Sequence, residues 1–286
     1  MNDPKPPKRI FPEASTDARA AKHVPSSPQT ESEAYKLAFQ DTDFLLRPDL
    51  RPVRFQLELL KPELLMNEAN IASLFVFYGS ARVPEPAKAK ALLEAARTDW
   101  DKKVAENLVA KSKYYDEARK LAARVSQFRV DEDGKRHFVV CSGGGPSFME
   151  AANRGAHDVG EESIGLNIVL PHEQLPNNYV TPDLSSQFHY FALRKMHFLL
   201  RARAVAVFPG GFGTFDEMFE LLTLIQTGKV RPLPILLFGR EFWERVVDFE
   251  GLAEEGVISP HDLDLITWVE TADEAWDAVC RHYEVC

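Results

Sequence analysis

From Ile71 onward the chain alternates short apolar runs with longer stretches whose apolar residues recur at helical spacing. The runs fall at Ser73–Tyr78, His137–Cys141, Ile164–Val169, Val205–Phe208, Leu233–Phe238 and Leu265–Val269. Segments this short and this continuously apolar read as strands buried on both faces. Helical patterns separate most of them, at Ala87–Phe128, Ser147–His157, Phe191–Arg203, Thr214–Gln226, Glu241–Glu254 and Ala272–Tyr283. Repeated strand-then-helix order predicts a parallel sheet with helices on both faces, a Rossmann-like, doubly wound α/β fold.

Two regions break the pattern. Residues 1 to about 50 hold many of the prolines, with Ser, Thr and charges between them and few large apolar side chains. That composition buries too little surface to offset ordering entropy, so a disordered or loosely packed N-terminal tail is expected, followed by one domain over 51–286. A short amphipathic helix at Phe55–Leu60 is expected to begin the order. The stretch Ala87–Phe128 is too long for one crossover helix. Its first half carries Arg97, Asp99, Asp101, Lys102, Lys103 and Glu106. We expect an inserted helix at about 86–111, as a solvated arm or subunit contact, with Tyr114–Val125 as the crossover.

The length of 286 residues and hydrophobic content of 45% allow a sizeable core. No apolar run is long enough to span a bilayer, and Met1–Lys8 lacks the apolar centre of a signal peptide, so a cytoplasmic location is expected. The three cysteines (Cys141, Cys280, Cys286) are too few for a disulfide framework and lack metal-ligand spacing; the eight histidines form no HExxH pair. No metal site is expected. A net charge of −9 argues against nucleic acid as a partner. It leaves room for a small anion, since a pocket can be locally positive on an acidic protein.

In open α/β sheets ligands bind where strands end and helices begin. Two glycine-rich turns stand at such places: Cys141-Ser-Gly-Gly-Gly-Pro-Ser-Phe-Met-Glu150 and Phe208-Pro-Gly-Gly-Phe-Gly-Thr-Phe-Asp-Glu217. Glycine lets the backbone approach a ligand closely, and free N–H groups at a helix start attract an anion. Neither turn is a Walker loop, and Phe148 stands where a dinucleotide fingerprint needs its third glycine. Both also fit a plain structural reading as turns capped by Ser/Thr-x-x-Glu boxes. Upstream, Arg194-Lys195 interrupts an apolar helical pattern; pattern alone favours a solvated edge, a buried ion pair or a pocket anion being the alternatives.

Together these residues resemble the LONELY GUY (LOG) family of nucleoside 5′-monophosphate phosphoribohydrolases, whose members often carry the label "lysine decarboxylase". The resemblance lies in the PGGxGTxxE pattern at Pro209–Glu217 with Arg194-Lys195 before it, and spans roughly 51–250. Gly143–Ala156 and the FYGSAR run at Phe77–Arg82 look like its longer-chain bacterial branch. It implies hydrolysis of the N-glycosidic bond of AMP or a cytokinin riboside 5′-monophosphate, with no cofactor and an assembly of at least two copies. It also implies that Arg194 and Glu217 are catalytic. Gly210, Gly211, Gly213 and Thr214 would hold the phosphate, Phe212 would also contact substrate, and Lys195 would stand beside the catalytic pair. Glu173 and Thr223 would make further nucleotide contacts, Gly79 and Ser80 would close the phosphate side, and Gly143, Gly144 and Gly145 would line the floor. Ser147, in place of a common glycine, and Arg203, in place of an Asp of short members, depart from the pattern.

Two other readings compete with hydrolysis. One is a non-catalytic protein that binds a nucleotide or a phosphorylated cofactor; it would have no need for a carboxylate at Glu217. The other is a pyridoxal-phosphate decarboxylase with Lys195 as Schiff base, which follows only from the label.

Overall fold

The computed structural model describes residues 13–128, 134–171 and 175–285. Contacts divide the chain into two units, residues 1–57 and 58–286. Among its described residues the first unit holds helices α1 (Ala14–Ala20) and α2 (Thr42–Leu46) and isolated helical turns, and none of these residues is buried. Local caps order it: the Asp41 carboxylate accepts the Phe44 N–H at 3.0 Å. The boundary lies at 57/58 rather than near 50, inside the helix α3 (Arg51–Glu68), whose buried residues, Pro62 and Met66, come only in its second half.

The second unit contains a seven-stranded, all-parallel sheet: β1 (Leu74–Tyr78), β2 (Val139–Ser142), β3 (Ile164–Ile168), β4 (Ser185–Phe188), β5 (Ala202–Val207), β6 (Ile235–Phe238) and β7 (Ile266–Val269). The order β4-β3-β2-β1-β5-β6-β7 is doubly wound, as the strand–helix alternation predicts. Sequence patterning missed β4. It is an edge strand of sequence Ser-Ser-Gln-Phe with alternating burial, so it carries no apolar run.

The intervening helices are α4 (Pro86–Glu94), α5 (Asp99–Ser126), α6 (Phe148–Asp158), α7 (Phe191–Leu200), α8 (Phe212–Gln226), α9 (Arg240–Val246), α10 (Phe249–Glu254) and α11 (Ala272–Tyr283). One core joins α5, α6 and α11 to the aromatic face of the sheet, where Phe75, Phe77, Phe208 and Phe238 lie. The other joins α3, α7, α8 and α9 to Leu74, Val76, Tyr78, Val205 and Leu237. Successive strand residues serve opposite cores, which is why the strands read as unbroken apolar runs.

Three expected boundaries shift. There is no break near residue 111: α5 is continuous, begun by Thr98, whose hydroxyl accepts the Asp101 N–H at 3.0 Å. Its buried positions Ala105, Ser112, Tyr115, Ala118, Ala122 and Val125 follow one face across the supposed junction. The separate element is the shorter α4. At the other end, α7 stops at Leu200 rather than Arg203, and β5 starts at Ala202. Arg201 makes the break, its guanidinium bonded to Glu63 Oε2 at 2.7 Å, Asn67 Oδ1 at 2.6 Å and the Ile71 carbonyl. The stretch expected as one helix at Glu241–Glu254 splits into α9 and α10, since Asp248 caps the second through the Gly251 N–H at 2.7 Å.

Helices α5 and α6 cross at Gly155. A Cβ there would run into the Arg119 carbonyl oxygen and lie 2.8 Å from the Ala122 methyl. Gly155→Ala should therefore push the helices apart and cost about 1–3 kcal/mol, read by chemical denaturation. An unchanged midpoint would show that the crossing has slack.

Candidate active site

The strand order reverses between β1 and β5, and a cavity of about 660 Å³ opens where their carboxyl ends diverge. Its wall at one end is the start of α8. Gly211 precedes this helix in an extended conformation, and Gly211, Phe212, Gly213 and Thr214 face the cavity. A Cβ on Gly211 or Gly213 would meet only open space, so the turn exposes backbone toward the cavity. Gly210 acts differently: a Cβ there would collide with the buried Thr214 side chain, and it does not line the cavity. Gly79, Ser80 and the exposed Arg82 form the opposite wall, held by the Ser80 N–H bond to the Pro209 carbonyl at 3.2 Å. Gly79 itself fits under Phe148 and Phe208, where a Cβ would approach to 2.8 and 3.0 Å.

Neither capping box forms. Ser147 precedes α6 at φ 66°, a backbone region that favours glycine, and its hydroxyl donates to the Val83 carbonyl. This is the position where the LOG pattern commonly has glycine. Helix α8 starts two residues before Thr214, which puts Glu217 beyond the first turn and frees it from capping.

Glu217 instead meets Arg194 in the middle of the cavity, Oε1 to Nη1 at 3.5 Å, with both side chains largely buried. Arg194 is fixed from behind by its Nε–H bond to the Leu166 carbonyl at 2.7 Å and by the Phe198 ring, 5.2 Å from the guanidinium carbon. Gly143 makes room for it: a Cβ there would sit 2.5 Å from Arg194 Nη2 and 2.8 Å from Met149 Sδ.

Other expected residues lie elsewhere. Lys195 turns away from the cavity to Asp216 at 3.0 Å and Glu220 at 3.2 Å; burial lowers its pKa but the two carboxylates raise it further, so it is held charged. Thr223 is exposed and bonds back to the Phe219 carbonyl. Gly144 and Gly145 belong to the scaffold, their carbonyls accepting the Asn177 N–H at 2.8 Å and Nδ2–H at 3.0 Å. Gly144, at φ 71°, leaves space for the Asn167 carboxamide, which a Cβ would approach to 2.7 Å. Glu173 lies outside the described residues.

The far wall was not anticipated. Asn167 brings a nearly buried carboxamide to the cavity, and Met149, Ile168, Leu170 and Phe191 add apolar surface. Asn167 had one sequence signal, a polar residue near the end of an otherwise apolar strand. Met149 and Phe191 looked like ordinary helix-start residues.

Residues 149–279 match the family model described as "Possible lysine decarboxylase". Cytokinin riboside 5′-monophosphate phosphoribohydrolase LOG3 of Arabidopsis thaliana is 27% identical over 168 residues, covering 57% of this chain and 73% of the relative. Probable cytokinin riboside 5′-monophosphate phosphoribohydrolase LOGL3 of Oryza sativa subsp. japonica is 26% identical over 178 residues, covering 58% and 76%. Over these residues the chain is similar to the LOG family. It also overlays on a molybdenum cofactor binding protein of Rippkaea orientalis with TM-score 0.47 at 15% identity, covering 74% of this chain and 97% of that one. Among the described residues, no helix is long and apolar enough to cross a membrane.

Glu217 is under opposing pressures. Burial raises its carboxyl, Arg194 and Lys195 lower it, and Asp216 and Glu220 raise it again; the net position is about 7. A value above the usual 4.5 means that folding takes up a proton between the two. The stability linked to this group is complete below pH 4.5 and disappears as pH rises through about 7. Carboxyl-carbon NMR should show Glu217 titrating near pH 7, and Glu217→Gln should gain melting temperature relative to the parent at pH 8 but not at pH 5. A midpoint near 4.5 would mean that the pair is solvated.

Proposed function

We propose that the chain hydrolyses the N-glycosidic bond of a nucleoside 5′-monophosphate, AMP or a cytokinin riboside 5′-monophosphate, to free base and ribose 5-phosphate. The observation that carries this reading is the buried Arg194–Glu217 pair beside the open start of α8. The 5′-phosphate binds the N–H groups around Gly211–Thr214, where the helix dipole favours negative charge. The ribose then lies at the pair, and the base lies along Met149, Ile168, Leu170 and Phe191, with the Asn167 carboxamide available for a polar edge.

As the bond between C1′ and the base nitrogen breaks, its electron pair leaves with the base and positive charge builds on the ribose. The Glu217 carboxylate stabilises that charge and accepts a proton from the water that adds to C1′. A carboxyl poised near neutrality is suited to taking that proton and returning it to the departing nitrogen. Arg194 orients Glu217 and the ribose hydroxyls. Phosphate anchoring supplies binding energy that aligns the sugar for reaction.

The decarboxylase alternative loses its main residue. Lys195 is a charged partner of Asp216 and Glu220, not a free amine facing the cavity. An assembly of at least two copies and a cytoplasmic location remain part of the proposal.

Incubation with nucleoside monophosphates should release free base, with the unphosphorylated nucleoside a much poorer substrate; equal rates would remove the phosphate anchor. Glu217→Gln should retain nucleotide binding by calorimetry and lose roughly 10²-fold or more in turnover. Tight binding without turnover by the parent protein would instead identify a nucleotide carrier.

A further inference from the structure

Helix α7 carries Arg194 into the cavity, yet its own N-cap side chain, Tyr190, supplies no capping bond. The cap comes from a distant part of the chain. The carboxylate of Glu58 accepts the His189 N–H at Oε1 (2.9 Å) and the Tyr190 N–H at Oε2 (3.2 Å). A carboxylate in that place satisfies free donors and complements the helix dipole.

The same residue grips α7 a second time. His197, fully buried two turns along, has its Nε2 3.0 Å from the Glu58 carbonyl oxygen. Burial lowers the pKa of His197, so the ring is neutral at pH 7 and its Nε2–H donates to that carbonyl. Its Nδ1 has no hydrogen-bond partner, and Glu63 Oε1 stands 3.8 Å away. Just beyond α7, Arg201 is bound by Glu63 and Asn67. The second half of α3 therefore holds α7 at its start, middle and end.

We propose that Glu58 is a positioning residue, which sets the placement of α7 and through it the distance between Arg194 and Glu217. The proposal rests on the hydrolase reading for its effect on rate, but not for its effect on geometry. Arg194 has one anchor on the sheet, the Leu166 carbonyl, and the rest of its placement comes from the helix. Loss of the Glu58 carboxylate releases the first turn of α7, which bears Arg194. The phosphate-binding turn lies on α8 and keeps its geometry, while Phe191 of the apolar wall moves with the first turn of α7.

Glu217 reports the change directly. The groups facing it are Arg194 and Lys195 from α7, Asp216 and Glu220 from its own helix, and the neutral Tyr78 and Cys141 from β1 and β2. Burial is the largest influence on Glu217 and Arg194 the largest that lowers its titration, so withdrawal of Arg194 with the carboxyl still buried raises the midpoint.

The test compares Glu58→Gln and Glu58→Ala with Glu270→Gln. The latter disturbs a carboxylate of similar connectivity, bonded to Tyr114 and the Arg240 N–H, on other elements. We expect both Glu58 variants to raise the Glu217 midpoint seen by carboxyl-carbon NMR. They should lower kcat about tenfold or more. Glu270→Gln should lose melting temperature without moving the midpoint. If the Glu58 variants lose melting temperature and leave the midpoint unchanged, Glu58 is a structural cap only and the proposal is overturned. If Glu58→Ala does not fold, Glu58→Gln, which keeps one acceptor oxygen, decides the matter by the same readout. Absence of turnover in the parent protein would overturn the hydrolase reading, while the midpoint would still decide the role of Glu58.

Discussion

A carboxylate and a guanidinium, buried side by side where the sheet reverses its order, are the constraint on which the rest of the site depends. Glu217 alone at this depth would be protonated, and Arg194 alone would be an uncompensated charge. Together they hold the carboxyl near neutrality, where it both carries charge and exchanges a proton. Such a balance is sensitive to distance, so the protein has to fix Arg194 from several sides. The Leu166 carbonyl, the Phe198 ring and the space left by Gly143 all serve that end.

The glycines show how one residue type answers different demands. Gly211 and Gly213 face open cavity and expose backbone to whatever binds there. Gly143, Gly144 and Gly210 instead make space for the side chains of Arg194, Asn167 and Thr214. A motif scan treats all five alike, because it records the absence of a side chain and not what fills the vacated space. That is why Gly144, Gly145 and Gly210 were assigned to ligand contact on sequence grounds and stand behind the cavity wall in the structure.

Much of the fold was legible because buried parallel strands leave an unmistakable trace. The strands β1, β2 and β6 are continuously buried, β3 and β5 nearly so, and the sequence shows each of them as an apolar run. Both edge strands pair on one side only; β7 keeps an apolar sequence, whereas β4 alternates in burial and resembles a loop. Helix ends were less legible. The break at Arg201 depends on Glu63 and Asn67, and the continuity of α5 depends on the sheet and α6 beneath it. The catalytic candidates came from the resemblance to the LOG family, which rests on two local patterns, Arg194-Lys195 and the PGGxGTxxE turn. Local pattern could not separate Arg194 from Lys195, one of which enters the cavity while the other pairs on the surface with Asp216 and Glu220.

The sequence by itself determined the strand–helix alternation, the parallel sheet, the anion-favouring start of α8 and the residue types available for chemistry. Periodicity and turn chemistry act over a few residues, and they are written directly into the chain. Tertiary structure alone decided that Glu217 shares a buried cavity with Arg194, that Asn167 and Met149 complete its wall, and that Glu58 caps the helix bearing Arg194. The physical reason is that burial and electrostatic coupling depend on distance in space. Glu58, Asn167, Arg194 and Glu217 are far apart along the chain, and only the packing of α3, α7 and α8 on one face of the sheet brings them together.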